Sequence, residues 1–66
     1  MVNLDGMDSD ELGAFAASTD NYLLADYARW KGCAILNRRK GNIEIALKCE
    51  KQCERVYDEL SDCDRW

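Results

Sequence analysis

The sequence predicts an all-α fold, a short N-terminal helix followed by an antiparallel helical hairpin, on three observations. Apolar or small residues recur at Ala46, Cys49, Cys53, Val56, Leu60 and Cys63. That alternation of three and four holds one seam on one face of a helix. Two long segments without a strong breaker other than Gly32 meet at Gly41-Asn42, where glycine closes one helix and asparagine caps the next. No proline occurs in the chain, and no β-type alternation is long enough to suggest a sheet.

The first helix is predicted over about 8–17, after a short lead-in at 1–7. Asp8 and Glu11 form a capping-box pattern, and Met7 and Leu12 are spaced for a hydrophobic staple. Asp10 and Glu11 suit the positive end of the helix dipole. Gly13 weakens the helix modestly. Ser18-Thr19-Asp20-Asn21 is a run of capping residues that ends this helix and starts the next.

The second helix is predicted over 20–40. Leu23, Tyr27, Trp30 and Ala34 form its apolar stripe, with Leu24, Ala28 and Ile35 beside it. So broad an arc predicts contact with more than one neighbour. The short first helix, the third helix and a second subunit are the candidates. Gly32, next to the stripe, offers a place for another helix to approach closely. The third helix is predicted over 42–62, with Ile43, Leu47 and Tyr57 widening its seam. Residues 62–66 are predicted to fray or to fold back through Trp66 onto the core.

Sixty-six residues make one small domain, 1–66. Such a domain buries only about 60% of its unfolded surface and usually needs a disulfide, a metal or a partner subunit. The apolar fraction of 47% is enough to form a core. A net charge of −4 does not favour general nucleic-acid binding. No apolar stretch approaches the ~20 residues of a membrane span. The stretch Met1 to Asp8 lacks the basic start and apolar run of a signal peptide, so a cytoplasmic, reducing setting is expected.

Three clusters of side chains invite a chemical reading. Cys33, Cys49, Cys53 and Cys63 are dense for an intracellular chain. Free cysteine packs as a small hydrophobe, and three of the four lie on the seam, so core packing is the leading reading. A metal site built from Cys33, Cys49 and Cys53, or a thiol-redox role, are the alternatives. Against metal stand the absence of histidine and of a Cys-x-x-Cys pair. A Cys49–Cys53 bridge within a regular helix is disfavoured by side-chain direction.

Arg38-Arg39-Lys40 complements the negative end of the second helix, and is also a candidate contact for phosphate or an acidic partner. Nucleic-acid recognition would need a larger basic field. Glu54, Asp58, Glu59, Asp62 and Asp64 read first as a solvated helix face, with cation binding or mimicry of nucleic-acid phosphates as the alternatives. A hairpin of this size offers little room for the water-excluding cleft that paired catalytic carboxylates need. No histidine, nucleophile elbow or glycine-rich phosphate loop is present, so neither an enzyme nor a cofactor is expected.

Two resemblances follow from particular residues. Trp30, the Gly41-Asn42 turn and the small Ala46 resemble a single tetratricopeptide repeat. Ala34 stands in place of its usual glycine, Asn37 in place of its usual aromatic, and no proline closes the unit. About three copies are needed for a stable array, so the likeness reads as convergent hairpin packing. Asn3-Leu4-Asp5-Gly6-Met7-Asp8-Ser9-Asp10-Glu11-Leu12, Gly41-Asn42-Ile43-Glu44-Ile45-Ala46-Leu47, Arg55-Val56-Tyr57 and Arg65-Trp66 resemble short uncharacterised proteins encoded by marine bacteriophages. That resemblance implies a phage accessory role and no particular chemistry.

The sequence therefore predicts a small non-enzymatic protein-interaction module that pairs into a four-helix-type homodimer and binds a host or phage protein. The predicted contact residues are Arg38, Arg39 and Lys40 at the turn and Glu54, Asp58 and Asp62 at the acidic end. A small nucleic-acid-associated regulator using Arg38, Arg39 and Lys40 is the alternative.

Overall fold

Asp8 starts the first helix by the predicted capping box. The Glu11 N–H donates to Asp8 Oδ1 at 2.8 Å, and the Asp8 N–H donates to Glu11 Oε1 at 3.3 Å. The computed structural model describes residues 3–66, so the first two residues of the expected lead-in lie outside the described residues. The remainder of that lead-in is a single 3-10 turn, Leu4–Gly6, capped by the Asn3 side chain. Leu4 is fully buried, and Met7 is half-buried against the same core as Leu12.

Helix α1 spans Ser9–Ser18, α2 Tyr22–Arg39 and α3 Ile43–Glu59, and no strand occurs among the described residues. The capping run between α1 and α2 serves both helices. Thr19 ends α1, and its Oγ1 accepts the Asn21 N–H at 3.2 Å. Asn21 Oδ1 then accepts the Leu23 and Leu24 N–H groups. Helix α2 therefore begins at Tyr22, since Asn21 is its extended cap and not a helical residue.

The turn after α2 satisfies its last carbonyls in the two-bond pattern that a left-handed residue permits. Gly41 has φ +83°. The Asn42 N–H donates to Asn37 O at 2.8 Å, and the Gly41 N–H to Arg38 O at 3.1 Å. Asn42, expected to cap α3 through its side chain, makes no such bond. Its ψ of 68° is short of the extended value, and its Nδ2 reaches back to Asn37 Oδ1 at 3.4 Å.

Helix α2 packs against both α1 and α3, as its broad apolar arc predicted. The core is built from Leu4, Leu12, Ala16, Leu24, Ala25, Tyr27, Ala28, Cys53, Val56 and Leu60, with Ala34, Ala46 and Cys49 also buried. So many small residues let the helix axes come close. Gly32 faces α1 at Ser9 and Leu12. A Cβ placed there would stand 3.8 Å from Leu12 Cβ and Ser9 O, an ordinary contact, so this approach does not require glycine.

Four apolar-face assignments are corrected. Trp30 is 38% exposed, because it lies at the outer margin of the buried arc through Ala28 and Tyr27. Ile43 and Leu47 are each nearly half exposed, since they lie beside the buried line of Ala46, Cys49 and Cys53 and not on it. Cys63 is exposed, because α3 ends at Glu59 and not at 62. Leu60 takes an extended conformation that buries its side chain and turns the chain back.

The segment 61–66 folds onto the core. Ser61 and Asp64 close a turn, and Asn21 Nδ2 donates to Asp64 Oδ2 at 3.2 Å. Arg65 donates to Asp58 O at 2.8 Å. No helix among the described residues is long and apolar enough to cross a membrane.

Candidate partner-binding groove

One face of α3 supplies most of the lining of a surface groove. Glu50, Cys53, Glu54, Tyr57 and Asp58 stand at helical spacing along one side. Tyr27 and Lys31, one turn apart on α2, form the opposite side. Asp5, from the 3-10 turn, and Trp66 close one end. The groove has a volume of about 540 Å³ and is open to solvent.

The closure depends on Asp5. It accepts the Tyr27 hydroxyl at 2.8 Å and the Trp66 Nε1–H at 2.9 Å, and Lys31 Nζ lies 3.9 Å away. The Trp66 hydrogen bond holds the Asp5 carboxyl below the ordinary aspartate range. Partial burial opposes this, and the Tyr27 bond and the Lys31 charge assist it. Burial pushes the Tyr27 hydroxyl up, and its bond to Asp5 adds to the shift. Trp66 meets both tyrosines edge-on, with ring centres 4.8 Å from each. The Tyr57 hydroxyl donates to the Trp66 carbonyl. This arrangement satisfies the rings' quadrupoles and gives the groove a stiff aromatic wall.

The rim is acidic. Glu50 is held by Arg38, whose Nε and Nη2 donate to its two oxygens at 2.9 and 2.8 Å. That bond keeps the Glu50 carboxyl low and raises the Arg38 guanidinium. Glu54 and Asp58 are exposed, and their side chains form no ion pair among the described residues. The Cys53 thiol, buried beneath, is pushed up to about 11 by desolvation.

The six predicted contact residues divide accordingly. Glu54 and Asp58 line the groove, and Arg38 reaches its rim through Glu50. Arg39 and Lys40 stand exposed at the turn, outside it. Asp62 is fully exposed beyond α3, 3.5 Å from Arg65. The sequence reading missed Asp5, Lys31, Glu50 and Trp66 as groove residues. Glu50 was legible, since it shares the face of Glu54 and Asp58. Asp5 and Trp66, 61 positions apart, carried no local signal.

The cysteines separate as well. Cys33 and Cys49 bring their sulfurs to 3.2 Å across α2 and α3. Cys53 faces the Tyr27 carbonyl at 3.8 Å. Among the described residues, no three cysteine or carboxylate side chains converge as metal ligands.

Comparison of the chain with known protein families, with curated proteins and with solved structures gave no match.

Proposed function

We propose that this chain is a small non-enzymatic protein-interaction module whose groove takes a basic segment of a partner protein. The observation that carries the reading is the placement of Glu54 and Asp58, two exposed carboxylates without ion pairs, beside the wall of Tyr57 and Trp66. A lysine or arginine side chain lays its apolar stem along aromatic rings and its charged head on a carboxylate. Arg65 already adopts half of that pose, 5.8 Å from the centre of the Tyr57 ring. Burial pushes the Cys53 thiol beneath the groove up to about 11, which favours a binding role for this residue over a catalytic one. The resemblance to marine phage proteins points to a host or phage protein as partner, in the cytoplasm of an infected bacterium.

The test is a fluorescence titration with a short arginine–lysine peptide. Glu54→Lys with Asp58→Lys is expected to weaken binding by about tenfold or more, whereas Arg39→Ala with Lys40→Ala leaves it unchanged. Failure of the peptide to bind, or equal binding by the charge-reversed protein, overturns the reading. The nucleic-acid alternative predicts instead that a duplex oligonucleotide binds, that its affinity falls steeply with salt, and that Arg39→Ala with Lys40→Ala abolishes it.

A homodimer belongs to the same proposal. Leu36, Ile43 and Leu47 are each nearly half exposed near the turn end of the hairpin, Ile43 and Leu47 one turn apart on the same side of α3. Arg39 and Lys40 lie at that end, and Asp58, Glu59 and Asp62 at the other. Antiparallel pairing of two copies would cover the apolar side chains and place opposite charges together. Light scattering on the reduced protein is expected to give twice the chain mass, falling to the monomer value in Leu36→Glu with Leu47→Glu. A monomer at high concentration refutes the pairing.

A further inference from the structure

We propose that Cys33 and Cys49 are a redox-active pair that closes into a disulfide joining α2 to α3, by exchange with a low-molecular-weight disulfide. Their sulfurs stand 3.2 Å apart on facing helices. A disulfide bond of about 2.05 Å would need a further closure of only ~1.2 Å, which side-chain rotation supplies with little shift of either helix. Among the described residues, no other pair of the four cysteines is joined by a hydrogen bond between sulfurs. Cys53 is turned to the Tyr27 carbonyl, and Cys63 lies exposed beyond the end of α3.

The surroundings distinguish the two thiols. Cys33 is half-buried and Cys49 buried, so an incoming disulfide meets Cys33 first. Two donors converge on the Cys33 sulfur, the Cys49 S–H at 3.2 Å and the Asn37 Nδ2–H at 3.2 Å. Both donors point at the sulfur that an incoming disulfide meets first. Burial and its bond to Cys33 push the Cys49 thiol up.

Exchange then balances in two displacements. Cys33 gives up its proton to solvent as its sulfur attacks the small disulfide, forming a mixed disulfide and expelling one thiolate, which takes a proton from solvent. Cys49 gives up its proton to solvent, and its sulfur attacks the Cys33 sulfur of the mixed disulfide. This forms the Cys33–Cys49 bond and expels the second small thiolate. The protein loses two protons and two electrons, and the small disulfide takes up the same number to become two thiols. The crosslink closes the hairpin around its Gly41 turn, so the unfolded chain loses freedom while both helices stay in place.

The experiment titrates the reduced Cys63→Ser protein with oxidised glutathione, followed by intact mass and by peptide mapping without reductant. The expected product carries no glutathione, weighs two hydrogens less, joins the peptides of Cys33 and Cys49, and reverts with a dithiol reductant. Its melting midpoint is expected to rise by roughly 10–20 °C. In Cys49→Ser the reaction is expected to stop at a glutathione adduct on Cys33. If Cys49→Ser does not fold, the mapping of the Cys63→Ser protein decides alone. A lasting glutathione adduct on Cys33 while Cys49 is free, a bond from either residue to Cys53, or no reaction overturns the proposal.

Discussion

Leu12→Ala is expected to lower the melting midpoint by roughly 12–24 °C, the largest effect of any single side-chain truncation considered. Leu12 is fully buried, and it holds α1 against α2 where Gly32 faces it. Removing a buried leucine costs the transfer energy of its methyl groups and leaves a cavity, together about 3 kcal/mol here. A chain of this length has only ~3–10 kcal/mol of total stability, so that loss is a third of it or more. Neighbouring side chains have little means to fill the gap. Ala16, Ala25 and Ala28 are short, and Leu4, also fully buried, is held by the capped turn that carries it. Thermal melts followed by far-ultraviolet circular dichroism measure the shift. A change of only a few degrees would mean that α1 docks loosely and lies outside the cooperative unit.

Asp5→Ala is expected to cost about 1–2 kcal/mol at neutral pH and to flatten the acid side of the stability profile. The mutation leaves the Tyr27 hydroxyl and the Trp66 indole N–H without their shared acceptor. The Asp5 side chain is 54% exposed, so water takes over part of both bonds and the cost stays below that of a buried charged pair. The carboxyl is held low in the folded protein, so the folded state binds its proton later than the unfolded state does. Its contribution is complete above the unfolded value near 3.8 and is lost as pH falls from there through the folded value. Wild-type protein should therefore lose stability on acidification more steeply than Asp5→Ala in that window. Urea unfolding at a series of pH values below neutrality tests this. Parallel profiles for the two proteins would show that Asp5 is not what couples the fold to pH, and would leave Glu50, the other lowered carboxyl, as the carrier.

Both predictions rest on a division between near and distant contacts that runs through the molecule. The Asp8–Glu11 capping box, the dual role of Thr19 and Asn21 and the Gly41 turn were all legible, because each joins residues fewer than six apart. The seam of Ala46, Cys49, Cys53, Val56 and Leu60 was legible because helical geometry repeats along a sequence. The same rule erred at Cys63, where it ran past a helix end that Leu60 sets through tertiary burial. Trp30, Ile43 and Leu47 were drawn into the core by size and spacing. Burial depends on where the neighbouring helix axis passes, and periodicity does not specify that.

The candidate groove shows the same division. Glu54 and Asp58 could be named from the acidic face of α3, but the aromatic wall beside them could not. It exists because Asp5 binds Tyr27 and Trp66 together across the whole length of the chain. The cysteines could be counted, and a Cys49–Cys53 bridge set aside, from helical spacing alone. Which cysteine faces which across the helix interface depends on the rotation of α2 against α3.

By itself the sequence determined the helical class, the order of three helices, the main caps and turn, and the acidic face, because local hydrogen bonding and a repeating apolar pattern dictate these. Only the tertiary structure decided the aromatic-walled groove and the Cys33–Cys49 pair. Those depend on how helices rotate and where the chain returns, which the packing of small side chains settles and no local pattern encodes.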